Sequence, residues 1–269
     1  MGVDRGLVEF VSGSVVRTTV LETIEDAPQK TQVLLDRVDA SESAVYDALS
    51  ALEREGIVHR VEPRVWAPTG IGDAVLSVIS VRNNTEALIG ADPAYWESHD
   101  VGTLPDPFRV RIHELAGAEV VRATETDPHR VVRLVAEAIE TASELLLVAP
   151  VYHERYETAL SAVGPDIEPR LVVDATTAED RLSGELADDP PDAEGIAARI
   201  TDINLAMAVT DEALYLSLPT MTGDYDARAE VVADTAQGRR WGTELFDHYW
   251  ERATPAETFF DEHPDLPVQ

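Results

Sequence analysis

Ser41-Glu42-Ser43-Ala44-Val45-Tyr46-Asp47-Ala48-Leu49-Ser50-Ala51-Leu52-Glu53-Arg54-Glu55-Gly56 has the marks of a single amphipathic helix. Ser41 is a favoured N-cap, because its side-chain oxygen can accept the backbone N–H three residues on. Gly56 supplies the stop, since glycine enters the left-handed region most freely. Between them Val45, Leu49 and Leu52 recur at helical spacing as an apolar stripe, and Ser43, Tyr46, Asp47, Ser50 and Arg54 form a polar one.

Immediately upstream, Thr31 to Val38 repeats the pattern with Leu34, Leu35 and Val38 facing inward, and only Asp39-Ala40 separates the two helices. Before them, Ser14 caps a helix from Val15 to Ile24 with Val16, Val20 and Ile24 on one face, ended at Asp26-Ala27-Pro28. Downstream, Ile57-Val58-His59-Arg60-Val61 and Arg64-Val65-Trp66-Ala67 alternate around Glu62-Pro63, which predicts a β-hairpin. Helix, helix, turn, helix and hairpin is the layout of a winged helix-turn-helix, assigned to residues 1–85.

A helix over about Gly72 to Val81 leads into residues 86–106, where Gly90, Pro93, Gly102 and Pro105 predict a linker. Residues 107–252 change rhythm. Glu119-Val120-Val121 is a short apolar segment, and Asp127-Pro128 starts a helix carrying Val131, Val135, Ala138 and Ala142. Leu145 to Ala149 is a buried strand, followed by a helix from about Tyr152 to Val163 and a strand at Arg170 to Val173. That alternation predicts a βαβ unit in a mostly parallel sheet. Thr176 caps a further helix before a loop at Asp188 to Asp192. Strands near Asn204–Thr210 and Ala213–Leu218 turn at Asp211-Glu212, a helix spans about Thr235 to Arg252, and 253–269 is a tail. The expected fold class is an α+β winged helix-turn-helix head plus an α/β C-terminal domain.

With 269 residues, 44 % of them hydrophobic, the chain can bury a proper core in spite of a net charge of −30, so the acidity belongs to the surface. Lys30 is the sole lysine among 21 cationic residues, against 51 acids. A carboxylate surface nearly free of ammonium groups suits molar salt, where the Debye length falls to about 3 Å and self-repulsion is screened. Residues 1–90 hold 8 basic and 14 acidic side chains, and the remainder 13 and 37. The head is thus the part better able to approach a polyanion. There is no cysteine, which excludes disulfides, thiol nucleophiles and Cys-ligated metals. No apolar run approaches the roughly 18 residues of a membrane span, and Met1 to Arg5 show no signal pattern, so a cytoplasmic location away from membranes is the expectation.

In a helix-turn-helix the last helix enters the DNA major groove, while the wing and the preceding helix touch phosphates. The groove-facing candidates are Ser41, Ser43, Tyr46 and Asp47; Lys30, Thr31, Arg60 and Arg64 are the candidates at the flanks. Asp47, Glu42, Glu53 and Glu55 weaken the local positive field, which keeps open the alternative of a winged-helix protein-interaction module without DNA binding. Beyond the strand ending at Ala149-Pro150, where α/β sheets place ligands, Tyr152, His153 and Arg155 are candidate lining residues of a small-molecule effector pocket. Trp241, Phe246, Tyr249 and Trp250 read as core or a dimer seam.

Enzymatic signatures are missing. In Gly70-Ile71-Gly72-Asp73-Ala74-Val75 a valine replaces the third glycine of a dinucleotide fingerprint, and the seven histidines show no metal-binding pair. Ser12-Gly13-Ser14 lacks the spacing of a nucleophile elbow. No catalytic residue, metal or cofactor is expected.

The runs Ser14-Val15-Val16-Arg17, Ser41 to Leu49 and Leu52-Glu53-Arg54-Glu55-Gly56-Ile57-Val58 resemble the head of archaeal winged-helix transcription regulators, TrmB-like in layout. Arg111-Ile112-His113-Glu114-Leu115, Leu147-Val148-Ala149-Pro150 and Trp241-Gly242-Thr243-Glu244-Leu245-Phe246 are similar to the sensor domain of the methanogenesis- and filamentation-regulator type in salt-loving archaea. That domain is similar to half of a phospholipase-D-like fold, and the resemblance implies a regulator, not an esterase. The His-x-Lys pair of phospholipase-D chemistry is absent, because Lys30 follows Gln29. The expectation is a sequence-specific regulator of double-stranded DNA acting as a homodimer, since two half-sites give affinity that a single acidic head cannot.

Overall fold

A computed structural model of the chain describes residues 6–151, 153–165, 167–178 and 196–262. It divides into two compact units, Met1–Asn83 and Asn84–Gln269.

In the first unit the apolar stripes converge on one core. The elements are α1 (Leu7–Ser12), α2 (Val15–Thr23), β1 (Gln29–Lys30), α3 (Thr31–Arg37), α4 (Glu42–Arg54), β2 (Val58–Glu62), β3 (Val65–Pro68) and the start of α5 (Gly70–Ala91). Ser14 caps α2 by accepting from Arg17 N, and Ser41 caps α4 by accepting from Ala44 N at 3.3 Å. Val20, Leu21 and Ile24 of the α2 region, Leu34 of α3, and Val45, Leu49 and Leu52 of α4 are buried together with Leu76 and Ile79 of α5. Val16 and Leu35, expected inside, are half-buried at the margin of this core.

Gly56 ends α4 with φ +72°. The hairpin of β2 and β3 gains β1 as a third strand in the order β1-β3-β2, all antiparallel. Two residues are too few to show an alternating pattern, so β1 leaves no trace in the sequence. Gly72 is fixed by packing: a Cβ there would sit 2.2 Å from the Ile57 carbonyl oxygen. Its amide donates to Thr69 Oγ1 at 3.2 Å, so the glycine pair serves a helix start.

The expected helix over Gly72–Val81 runs instead to Ala91, and 86–106 is not a linker. Leu88 of α5, Tyr95 of α6 (Pro93–Ser98) and Leu104 are buried in the core of the second unit. Asp92 caps α6, accepting from Tyr95 N at 3.1 Å, and it pairs with Arg122. The glycines and prolines of this stretch mark ends of short helices rather than a free connection.

The second unit continues with α7 (Asp106–Arg109), β4 (Glu119–Arg122), α8 (Arg130–Thr141), β5 (Leu145–Ala149), α9 (Glu154–Ser161), β6 (Arg170–Val173) and β7 (Ala197–Ile200). Then follow β8 (Ala206–Thr210), β9 (Leu214–Ser217), β10 (Ala229–Ala233), α10 (Ala236–Arg252), β11 (Thr254–Pro255) and α11 (Ala256–Glu262). The described strands form one sheet ordered β11-β7-β6-β5-β8-β9-β10-β4. Only β5–β6 and β6–β7 pair in parallel; the other neighbours are antiparallel. The sheet is therefore mixed, where a mostly parallel one was expected, because tight reversals such as Asp211-Glu212 join neighbouring strands directly.

Side chains alternate between its faces. Val148, Met207, Val209 and Val231 pack with Trp241, Leu245 and Phe246 of α10, whereas Leu147 and Ala208 pack with Val135 and Ile139 of α8 and Leu160 of α9. Asp127 does not cap α8, which begins after His129; its carboxylate accepts from Arg133 at 2.7 Å instead. The expected tail is folded to residue 262: β11 pairs with β7, and Phe259 and Phe260 pack against the α8–α9 core. The loop expected at 188–192 lies outside the described residues.

Candidate nucleic-acid interface

Burial of Val45, Ala48, Leu49 and Leu52 leaves the opposite side of α4 in solvent. Ser41, Ser43 and Asp47 are exposed there, and Tyr46 is 48 % exposed although its ring would gain from burial. The hydroxyls of Ser41 and Ser43 lie 3.1 Å apart. Ser41 is partly committed to capping, so Ser43, Tyr46 and Asp47 are the freer groups. Together they offer hydroxyl donors and acceptors, one ring and one carboxylate. Such groups have the chemistry to pair with base edges: a carboxylate accepts from cytosine N4, and a hydroxyl serves either role.

The hairpin is tied to α3 at its tip. Arg64 stands at φ +63°, a left-handed conformation unusual outside glycine. Its carbonyl accepts from Thr31 N at 2.8 Å and from Thr31 Oγ1 at 3.2 Å. Thr31 Oγ1 in turn accepts from Trp66 Nε1 at 3.0 Å. Thr31 is 4 % exposed, and this network corrects its assignment to the contact surface: it braces the hairpin, and its hydroxyl is spent.

Lys30 and Arg64 are exposed, and no acidic partner stands against either among the described residues. Arg60 is less available. Its guanidinium lies 4.6 Å from the Trp66 ring centroid and donates to Glu53 Oε2 at 3.0 Å. Sequence reasoning missed Glu53 as the holder of Arg60; the seven-residue separation across a turn gives no periodic signal.

In the second unit, His153 caps α9, its Nδ1 accepting from Arg155 N at 3.2 Å. His153 and Arg155 border an open groove of about 700 Å³ shared with His129, Arg133 and Glu137 of the α8 region. Tyr152 lies outside the described residues.

Residues 5–85 match the family model described as the HVO_A0261 N-terminal domain, and residues 128–252 match that of the Methanogenesis regulatory protein FilR1, middle domain. The chain is 22 % identical over 196 residues to the Methanogenesis regulatory protein FilR1 of Methanothrix harundinacea (strain 6Ac), a match covering 68 % of this chain and 42 % of that protein. The chain thus spans about two fifths of the length of the curated relative it matches.

Among solved structures, TrmBL2, an archaeal chromatin protein, is similar over 93 % of this chain and 98 % of its own, at 15 % identity and TM-score 0.40. Nuc from Salmonella typhimurium, a phospholipase D family member, is similar over 51 % and 96 %, at 17 % identity and TM-score 0.39.

Proposed function

We propose that this chain is a DNA-binding transcription regulator in which α4 reads the major groove and the β2–β3 hairpin, with Lys30, meets phosphates. The observation that carries the reading is the solvent-facing side of α4, where Ser43, Tyr46 and Asp47 stand exposed over a fully packed apolar side. Lys30 and Arg64, exposed on the strand before α3 and at the hairpin tip, supply cations without internal acid partners among the described residues. The match of residues 128–252 to a regulator's middle domain supports the same class and speaks against an enzyme.

Residues 1–85 are the DNA-binding part and 107–252 the regulatory one. The regulator acts as a homodimer in the cytoplasm of a salt-adapted archaeon, with a small-molecule effector bound through the second unit. Dimerisation has support on α5, where Ile71 and Val78 are 48 % and 52 % exposed. Seven residues are close to two whole turns, so the two lie on one edge of the helix. Salt adaptation has support in the net charge of −30 carried with a single lysine.

The test is fluorescence anisotropy of a duplex from the protein's own upstream region, beside a scrambled duplex, in roughly molar potassium chloride. Tight binding to the native duplex alone is the expected result. Absent or equal binding to both overturns the reading and favours a winged-helix module for protein contact.

A further inference from the structure

The two tyrosines and the glutamate that meet beneath α8 and α9 have no part in the DNA-binding reading. Glu230 of β10 is only 4 % exposed. Its neighbours Ala229 and Val231 face the α10 side of the sheet, so its carboxyl points to the opposite face. There it borders a cavity of about 60 Å³ whose other walls include Val135, Ile139, Leu147, Tyr156 and Tyr225. Among the described residues no donor reaches this carboxyl, and the charged group it feels is Asp226, of its own sign. Asp226 is engaged elsewhere, its Oδ2 lying 3.2 Å from His99 Nε2.

Burial, and secondarily Asp226, push the Glu230 pKa up to about 8, so the group is largely protonated at neutral pH. Tyr156, Tyr215 and Tyr225 are raised chiefly by their own burial, Tyr215 next by Glu212 and Tyr225 next by Tyr156, with Glu230 adding to all three, and they stay protonated. The α8 side chains that meet the cavity, Val135 and Ile139, carry no charge. The Glu230 carboxyl therefore faces the cavity with no cation beside it among the described residues.

We propose that this cavity binds a small alkylammonium cation, with the Glu230 carboxylate as counter-ion and the Tyr156 and Tyr225 side chains flanking the charged nitrogen. Each part of the site has a physical role. Aromatic rings beside a carboxylate stabilise an ammonium group through the ring quadrupole, and more so away from water. The apolar walls accept a short alkyl body but offer a strongly hydrated inorganic ion too few oxygens to replace its water shell. A water occupies roughly 15 Å³ on this measure, so the space holds about four non-hydrogen atoms, the size of propylammonium. The ligand nitrogen keeps its proton, and the Glu230 proton leaves to solvent as the ion pair forms. Affinity therefore rises about tenfold per pH unit below the Glu230 pKa and levels above it. The inference stands independently of DNA binding.

The test titrates the full chain with propylammonium chloride, and separately with potassium propionate, by isothermal calorimetry at pH 6, 7 and 8 and constant ionic strength. The expected result is saturable binding of propylammonium alone, about tenfold tighter at pH 7 than at pH 6. At pH 7 the heat should depend on the buffer, reporting close to one proton released. Glu230→Gln should weaken binding at least tenfold, and Tyr225→Leu, which removes the ring, severalfold. No saturation, equal binding of propionate, a flat pH profile, or unchanged affinity in folded Glu230→Gln overturns the proposal. So does displacement of propylammonium by potassium ion alone, which would make this an inorganic cation site. If Glu230→Gln fails to fold, the pH slope and proton count of the unsubstituted protein decide.

Discussion

In the second unit several arginines are committed to internal partners, while Arg130, Arg155 and Arg240 stay exposed. Arg111 bridges Glu114 and Glu244, Arg122 clasps Asp92, Arg133 holds Asp127, and Arg170 reaches Asp247. Arg122 accordingly holds the Asp92 carboxyl below the usual carboxylate range. In the first unit Lys30 and Arg64 are exposed with no such partner among the described residues, whereas Arg60 is held by Glu53, Arg54 lies 3.8 Å from Glu55 and Arg17 donates to the Phe10 carbonyl. On the proposed reading, Lys30 and Arg64 are the charges that the first unit offers to an outside polyanion despite its own acidity. The second spends Arg111, Arg122, Arg133 and Arg170 on internal acids, and among the described residues it leaves one buried acid, Glu230, without a cation. Where cations are kept free, rather than how many there are, separates a surface built for contact from one built for cohesion.

That contrast can be broken first at the core. Leu49→Ala removes a side chain buried at the centre of the first unit and should cost about 2–5 kcal/mol in a denaturant melt. Tyr46→Ala, one turn away on the exposed side, should change stability by less than about 0.5 kcal/mol. A comparable loss in both would mean that the polar stripe of α4 is packed in the working protein.

Glu230 gives the next largest effect, and its sign is fixed by protonation. The folded protein holds this proton up to about pH 8, while an unfolded chain releases it near 4.5. Between those values the native state binds more protons, so stability is full below about pH 4.5 and declines as pH rises to about 8. The loss across the window is on the order of 5 kcal/mol at most. Glu230→Gln should lack that decline and be the more stable protein at pH 8; parallel pH profiles of the two would contradict the buried carboxyl.

Arg64→Gly separates charge from backbone strain. A left-handed non-glycine residue costs about 1–2 kcal/mol, partly offset by the chain entropy of glycine, so stability should rise by up to about 1 kcal/mol. DNA affinity should fall even so, with the salt slope reduced by about one. Smallest of all, Arg133→Ala at a solvent-exposed pair should move the melting free energy by less than about 1 kcal/mol, and by still less in molar salt.

The first unit was the more legible in sequence because each helix there buries one stripe against one core. Val20, Leu34, Val45, Leu49 and Leu52 repeat at helical spacing, and all are buried. In the second unit β5 and β6 were readable as apolar runs, but β10 was not: Glu230 interrupts Ala229-Glu230-Val231-Val232-Ala233 with an acid. That interruption is the signal that could have exposed the cavity, and in a chain with 51 acids it is easily passed over. Residues 86–106 were misread because glycine and proline mark helix ends as readily as linkers. Of the interface candidates, exposure favours Lys30, Ser43, Tyr46, Asp47 and Arg64. Thr31 went astray because a polar residue at a helix start reads the same whether it faces solvent or braces a hairpin.

The most direct test of the central claim is the ratio of affinities for the native and scrambled duplexes, measured for the unsubstituted protein and for Tyr46→Ala in roughly molar potassium chloride. The account predicts strong preference for the native duplex and a preference reduced about tenfold in Tyr46→Ala, with its melting curve unmoved. A protein that does not distinguish the two duplexes, or a Tyr46→Ala variant that discriminates as well as the original, would contradict it.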